Sequence, residues 1–163
     1  FNNILANTRT KGGEIGLVGY VTDEWQAALG YGHQDARILS ADPRLLDDPE
    51  DQIVALGAAG NVVPSVPLDT FSFWNRYDFT PFLGAGLGVV YNAKFFPALD
   101  NAVIVPGYAR LDGALFIKFS ENFFGQLNVE NILGAKYFAS AHNNNNIMPG
   151  APRSAFVTVT ARF

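Results

Sequence analysis

Ser154-Ala-Phe-Val-Thr-Val-Thr-Ala-Arg-Phe163 is the stretch on which the reading of this chain turns. Ala155, Val157, Val159, Ala161 and Phe163 fall on one face of an extended strand. Ser154, Thr158, Thr160 and Arg162 fall on the other, with Phe156 the one apolar intruder. Strict period two with a single greasy face marks a strand that separates two different environments.

The rest of the chain repeats this pattern. Lys11 to Val21 reads as a strand with Ile15 and Leu17 on one side and Glu14 on the other, followed by a tight turn at Thr22-Asp23-Glu24. From Trp25 to Ile38, Trp25, Ala27, Leu29, Tyr31 and His33 alternate with Gln26, Ala28, Gly30, Gly32 and Gln34. Asp69 to Phe79 places Phe71, Phe73, Tyr77 and Phe79 opposite Ser72, Trp74, Arg76 and Asp78; Thr80-Pro81 then turns the chain. Leu83 to Lys94, Tyr108 to Phe119 and Phe123 to Ile132 alternate in the same way, the last two joined by a turn at Ser120–Asn122. Connections are short at 22–24, 80–81 and 120–122, and long at 39–68, 95–107 and 134–153. Within the first long connection, Asp48-Pro49 reads as an N-cap with Pro at N1, which predicts a short helix over Pro49–Leu56. Phe1–Leu5 reads as the end of an earlier strand.

Composition agrees with a β reading. The 163 residues include 16 Gly, 14 Phe and 6 Tyr, only 16% are charged, and the net charge is −4. No run of apolar residues is long enough for a transmembrane helix. An acidic balance argues against a nucleic-acid surface, and zero cysteines exclude disulfide or thiolate chemistry. Phe1 carries neither an initiator Met nor a leader-like segment, which suggests a removed leader or the tail of a longer protein.

Strands of roughly ten residues, with short turns at one rim and long loops at the other, predict an all-β, antiparallel up-and-down transmembrane β-barrel segment of about 7–8 strands. The apolar face would meet lipid. The opposite face carries Glu14, Gln34, Arg76, Asp78, Lys94, Arg110, Asp112, Lys118, Gln126, Asn128, Glu130 and Arg162, too much charge for a dry core. Aromatic residues gather toward both strand ends, as interfacial girdles do. The terminal Phe163 resembles the closing aromatic residue of outer-membrane barrels and so reads as a membrane-insertion signal.

Three blocks carry a more specific resemblance: Val105-Pro-Gly-Tyr-Ala-Arg-Leu-Asp, Leu127-Asn-Val-Glu-Asn-Ile-Leu-Gly-Ala-Lys-Tyr, and Pro149-Gly-Ala-Pro-Arg. Together with Lys11-Gly-Gly-Glu, Asp35-Ala36 and Trp74-Asn-Arg-Tyr, they resemble the C-terminal barrel segment of TonB-dependent siderophore receptors over about residues 8–163. The resemblance implies one third or so of a plugged barrel of about 22 strands. It implies a Gram-negative outer-membrane location, with the short turns periplasmic and the long loops extracellular. The partners it implies are a ferric siderophore, the lipid bilayer, and the TonB complex acting through a plug outside these residues. No resident cofactor follows; iron would arrive already chelated, as substrate.

Two other readings compete: a small self-contained eight-stranded outer-membrane barrel of passive or structural role, with Phe1–Leu5 pairing onto Ser154–Phe163, and a lipocalin-like ligand binder, which the charged inner face opposes. The carboxylates Asp78, Asp112 and Glu130 lack the paired spacing of a hydrolytic site, so no enzyme activity is expected. Pairing of Arg110 with Glu130, or Arg76 with Asp112, would satisfy the inner charges instead. Asn128, Glu130 and Asn131 read as structural, and Gly84-x-Gly86-x-Gly88 as relief for a crowded inner face. An anionic iron chelate needs fixed cations and flat rings. Arg37, Lys94, Phe96, Tyr137 and His142, near the outer rim or in outer loops, are therefore the candidate ligand contacts, with Tyr137 and Lys94 the leading pair. No His, Cys or carboxylate cluster has metal-ligand spacing.

Overall fold

Three side-chain hydroxyls shape the short turns. Thr22 Oγ1 accepts from the N–H groups of Glu24 and Trp25 at 3.3 and 3.1 Å. Thr80 Oγ1 accepts from Phe82 and Leu83 at 3.2 and 3.0 Å, and Ser120 Oγ from Asn122 at 3.3 Å. Each hydroxyl satisfies amides that the reversing chain removes from the sheet, so consecutive strands fold back tightly at one rim.

The structure, a computed structural model, describes residues 6–41 and 59–163. The strands are β1 (Ala6–Tyr20), β2 (Trp25–Ala41), β3 (Asp69–Thr80), β4 (Leu83–Asn92), β5 (Tyr108–Lys118), β6 (Phe123–Glu130), β7 (Phe138–Asn143), β8 (Asn146–Pro149) and β9 (Ser154–Ala161). Seven form one antiparallel sheet in the order β1-β2-β3-β4-β5-β6-β9, each paired with its neighbour in sequence apart from the inserted β7–β8 hairpin. Among the described residues the sheet is open, with β1 and β9 at its edges.

Register confirms the two faces. Leu29 lies opposite Phe73, Phe73 opposite Val89, and Val89 opposite Leu111. On the other face Arg76 meets Gly86, Gly88 meets Asp112, and Ala114 meets Asn128. Outward residues such as Leu17, Leu87, Leu115, Val157 and Val159 are exposed and form an apolar band on one face of the sheet. The glycine reading also holds. A Cβ at Gly86 or Gly88 would overlap the Trp74 indole, and one at Gly84 would overlap the Asp78 carboxylate. The bare strand β4 is what lets Trp74 lie flat on the inner face.

The differences lie at strand ends. β1 starts at Ala6 rather than Lys11, and β2 runs on to Ala41, so these two strands project beyond β3. β4 ends at Asn92, short of Lys94. β6 ends at Glu130 rather than Ile132 because Asn131 adopts a φ of 53°, which breaks the ladder. The 134–153 connection, expected as loop, contains the β7–β8 hairpin. Tyr20 and Tyr108, opposite Gln26 and Asn92, belong to the inner face rather than the outward girdles. The expected helix at Pro49–Leu56 and the pairing of Phe1–Leu5 lie outside the described residues.

Burial concentrates at the long-loop rim. Ile38, Val105 and Asn131 are almost fully enclosed, where loops fold over the ends of β2, β5 and β6.

Candidate functional site

Two inner-face arginines are neutralised within their own strands. Arg76 Nε donates to Asp78 at 2.9 Å, and Arg110 Nη2 to Asp112 at 2.8 Å. The expected partners, Asp112 for Arg76 and Glu130 for Arg110, are not used. Residues i and i+2 share a face of a strand, and a long guanidinium arm reaches its own neighbour before it reaches across the sheet. Gln126 bonds Asn128 at 2.7 Å by the same spacing. Arg76 also lies 4.1 Å from the Phe116 ring centroid, and Arg162 5.0 Å from that of Phe124. Glu130 stays on the inner face opposite Ser154.

The three sequence blocks that carried the resemblance converge near the outer end of β5. Asp112 Oδ2 accepts from Arg110, while its Oδ1 accepts the Asn131 backbone N–H at 2.8 Å. The Asn131 amide donates to the carbonyls of Ala135 and Ala151 at 2.9 and 3.1 Å, and its Oδ1 accepts from the Ala135 N–H at 2.8 Å. The Tyr137 ring stacks on Tyr108 with centroids 4.2 Å apart, and its hydroxyl accepts from Arg110 Nη1 at 3.4 Å. Gly150 donates its N–H to the Tyr137 carbonyl, and a Cβ there would overlap the Tyr137 ring. Tyr-Ala-Arg-Leu-Asp, Asn131 and Pro149-Gly-Ala thus form one network that anchors the 134–153 connection to the wall.

The other outer loops fasten to each other. Asn101, at φ 53°, accepts from the Val62 N–H at 2.7 Å and donates to the Val62 carbonyl at 3.0 Å. Asn61 reaches the Leu99 carbonyl at 2.9 Å, and Ser65 donates its N–H to Phe96 at 2.8 Å. Asn144 Nδ2 ties the β7–β8 hairpin to Asp100 Oδ2 at 2.8 Å. The Asp100 carboxyl is held below its ordinary range, first by the Ala102 N–H and then by Asn144.

Below these loops lies a cleft of about 850 Å³, lined by Arg37, Lys94, Phe96, Asn101, Asp69 and Tyr91 among others. Of its strand residues, Asp35, Arg37, Asp69, Tyr91 and Ala109 share the parity of the outward band, while Gln34 and Tyr108 have that of the inner face.

Of the candidate ligand contacts, the structure therefore gathers Arg37, Lys94 and Phe96 in one cleft. The register sets Arg37 opposite Arg9 on the outward face, away from the lumen, with Nε on Asp35 and Nη1 on the Gly60 carbonyl. Tyr137 lies in the inner-face network and stacks on Tyr108, which also lines the cleft. His142 is exposed on β7. Phe163 follows the last strand and is fully exposed. Nothing in the sequence marks Asn101, and Tyr108, held in the Pro-Gly-Tyr block, reads there only as a girdle aromatic. Among the described residues no cluster of metal ligands occurs.

A model of the TonB-dependent receptor-like β-barrel matches residues 1–132. The chain is 28% identical over 160 residues to the probable TonB-dependent siderophore receptor PiuA of Acinetobacter baumannii, covering 98% of this chain and 21% of that protein. It is 29% identical to the catecholate siderophore receptor Fiu of Escherichia coli K12, covering 95% of this chain and 20% of that protein. The crystal structure of PiuA superposes with a TM-score of 0.80 at 29% identity, over 93% of this chain and 21% of that one. The closed form of Fiu gives 0.75 at 29% identity, over 93% of this chain and 20% of that one. The chain thus spans about a fifth of the length of these relatives.

Proposed function

The chain belongs to the TonB-dependent receptor-like β-barrel family, and from that membership we propose that it forms part of the outer-membrane wall of a receptor that takes up ferric siderophores. The observation that carries this reading is a seven-stranded antiparallel sheet with one apolar and one charged face, matching siderophore receptors along nearly its whole length. The apolar face meets lipid and the charged face meets the lumen and whatever fills it. Energy would reach the receptor from the TonB complex through a plug, and iron would pass as a chelate rather than as a bound cofactor. Nothing in this role calls for enzyme chemistry.

Within this segment, Tyr137 is the residue we assign to ligand contact from the lumen side. Tyr108 holds its ring flat and the Arg110 guanidinium sits at its hydroxyl, so a ring and a cation face the lumen together. That is the chemistry an anionic chelate with flat aromatic or hydroxamate groups would use. His142, exposed on the hairpin, is a second contact in the same reading.

The test uses the full receptor in an iron-limited strain. Deleting its gene should abolish growth on the cognate ferric siderophore, and Tyr137→Ala should weaken binding of that siderophore while surface expression stays normal. Unchanged growth after deletion would end the receptor reading; unchanged affinity in the variant would end the Tyr137 assignment alone.

A further inference from the structure

Two phenyl rings stand on the face that carries the charges. Phe116 lies opposite Gly84 and Gln126, and Phe124 opposite Lys118 and Thr160, so both belong to the inner side of the sheet. Each carries a guanidinium, Arg76 over Phe116 and Arg162 over Phe124. Around them lies a second cleft, of about 410 Å³, lined by Arg76, Asp78, Phe116, Lys118, Phe124 and Arg162 among others. It reaches the short turn at Thr80 to Leu83, at the rim opposite the outer loops.

Positive charge is in excess here. Asp78 accepts from Arg76 Nε, and Glu121 accepts from Lys118 at 2.8 Å. Among the described residues the two outer nitrogens of Arg76 have no hydrogen-bond partner, and Arg162 makes no ion pair. A phenyl face holds a guanidinium in place without cancelling its charge, as a carboxylate would. Both arginines are therefore fixed and still able to donate to an anion.

The register sets this cleft at the foot of a regular series. Counted along β5, cations stand at Arg110, at the level of Ala114 (where Arg76 lies across Gly86) and at Lys118. At about 3.3 Å per residue, successive cations are about 13 Å apart. Rings keep pace with them: Tyr108 and Tyr137 beside Arg110, Trp74 across Gly88 from Asp112, then Phe116 and Phe124. Phe156, the apolar intruder in the last strand, stands on the same wall opposite Asn128 and is 54% exposed. Over the 11 residues of β5 the series runs about 33 Å, close to the thickness of a bilayer core.

We propose that the lower cleft is an exit subsite, where an anionic iron chelate that has left the outer loops is held once more, against the wall, before it enters the periplasm. The proposal rests on the receptor reading above, with the short turns periplasmic. The outer nitrogens of Arg76 and the guanidinium of Arg162 take the anionic oxygens of the chelate. Passage needs each stop to be strong enough to enter and weak enough to leave. Asp112 and Asp78, which share Arg110 and Arg76, keep each hold weak.

The experiment follows the radiolabelled iron(III) complex of dihydroxybenzoate, an anionic chelate with flat rings, in an iron-limited strain carrying the full receptor. Surface binding is read in cells poisoned with an uncoupler, and the maximal rate of uptake in energised cells. Arg76→Gln/Arg162→Gln should bind the chelate like the wild type but take it up about tenfold more slowly, the worth of one charge-assisted hydrogen bond. Arg162→Lys, which keeps the charge, should retain most of the rate. Thr158→Asp adds an anion to the cleft and leaves every cation in place, so it should slow uptake too; it decides the matter if the double variant fails to reach the surface. Lys11→Gln, which removes a cation from the outward face, should alter neither reading. Uptake at the wild-type rate in both cleft variants overturns the proposal. So does a loss of surface binding, which would assign the two arginines to the loading site. A slower rate accompanied by entry of vancomycin without chelate also overturns it, because the cleft would then seat the segment that fills the barrel. Wild-type uptake no faster than in a strain without the receptor sinks the subsite, while the receptor reading stands or falls on the growth test above.

Discussion

The backbone N–H of Asn131 donates to Asp112 Oδ1 at 2.8 Å, fastening the end of β6 to the middle of the outer half of β5. Asn131 is 1% exposed, holds a left-handed φ of 53°, and spends its side chain on Ala135 and Ala151. Asn tolerates that backbone region better than other residues with a Cβ. One residue thus ends a strand, starts a loop and pins the entry to the last strand.

Asn131→Ala should therefore be among the more damaging single changes in the segment. It leaves the Ala135 and Ala151 carbonyls without their donor and forces Ala into the left-handed region, a loss of about 2–4 kcal/mol. Asn131→Gly, which relieves only the backbone, should fall between the wild type and Asn131→Ala. Thermal unfolding of the receptor in detergent, followed by loss of β-sheet circular dichroism, provides the ranking. Equal midpoints for all three would show that the network carries no stability.

The indole of Trp74 depends on the missing side chains of Gly86 and Gly88. Gly88→Val should push the ring off the inner face, costing about 1–3 kcal/mol by overpacking. With Trp25 and any tryptophan outside this segment replaced by Phe, Trp74 reports alone, and its emission should shift as the ring leaves its glycine bed. An unchanged spectrum would mean that the ring does not lie there.

Asp100 links the 93–107 loop to the β7–β8 hairpin through Asn144. Its carboxyl is held below the ordinary value by the Ala102 N–H and by Asn144, so the folded group stays ionised to lower pH than the unfolded one. The sign follows: the stabilisation is complete above the ordinary carboxylate pKa of about 3.9 and is lost as pH falls through the lower, folded value. Amide exchange across Asn143–Asn146, corrected for its intrinsic pH dependence, should accelerate in that acidic window. Asp100→Asn should remove the pH dependence; if the dependence persists, another group is responsible.

Orientation is tested by two cysteines in the full receptor. Asn144→Cys on the outer hairpin should react with an impermeant maleimide on whole cells, and Asn122→Cys in a short turn should react only after the envelope is opened. The reverse pattern would invert the assignment of the two rims.

The motif blocks were legible as a family resemblance before their purpose was. Tyr108, Arg110, Asp112, Asn131 and Gly150 look like scattered letters in three stretches, and only folding shows them touching. The reading of Asn131 as structural agrees with the network. The expected cross-strand ion pairs do not, because charge type alone says nothing of which partner an arginine arm reaches first. The surroundings of Lys94 and Tyr137 were equally out of reach, since loop residues have no parity to count.

By itself the sequence determined the sheet: where strands alternate, where they reverse, and which face is apolar. Those properties follow from local geometry, as side chains in an extended chain alternate and Ser or Thr hydroxyls cap tight turns. The tertiary structure alone decided what happens above the ladder. There the chain leaves period two, and contacts such as Asn101 with Val62, Asn144 with Asp100 and Tyr137 with Tyr108 join residues far apart in sequence. Such contacts depend on loop paths through space, which no repeating pattern in the chain records.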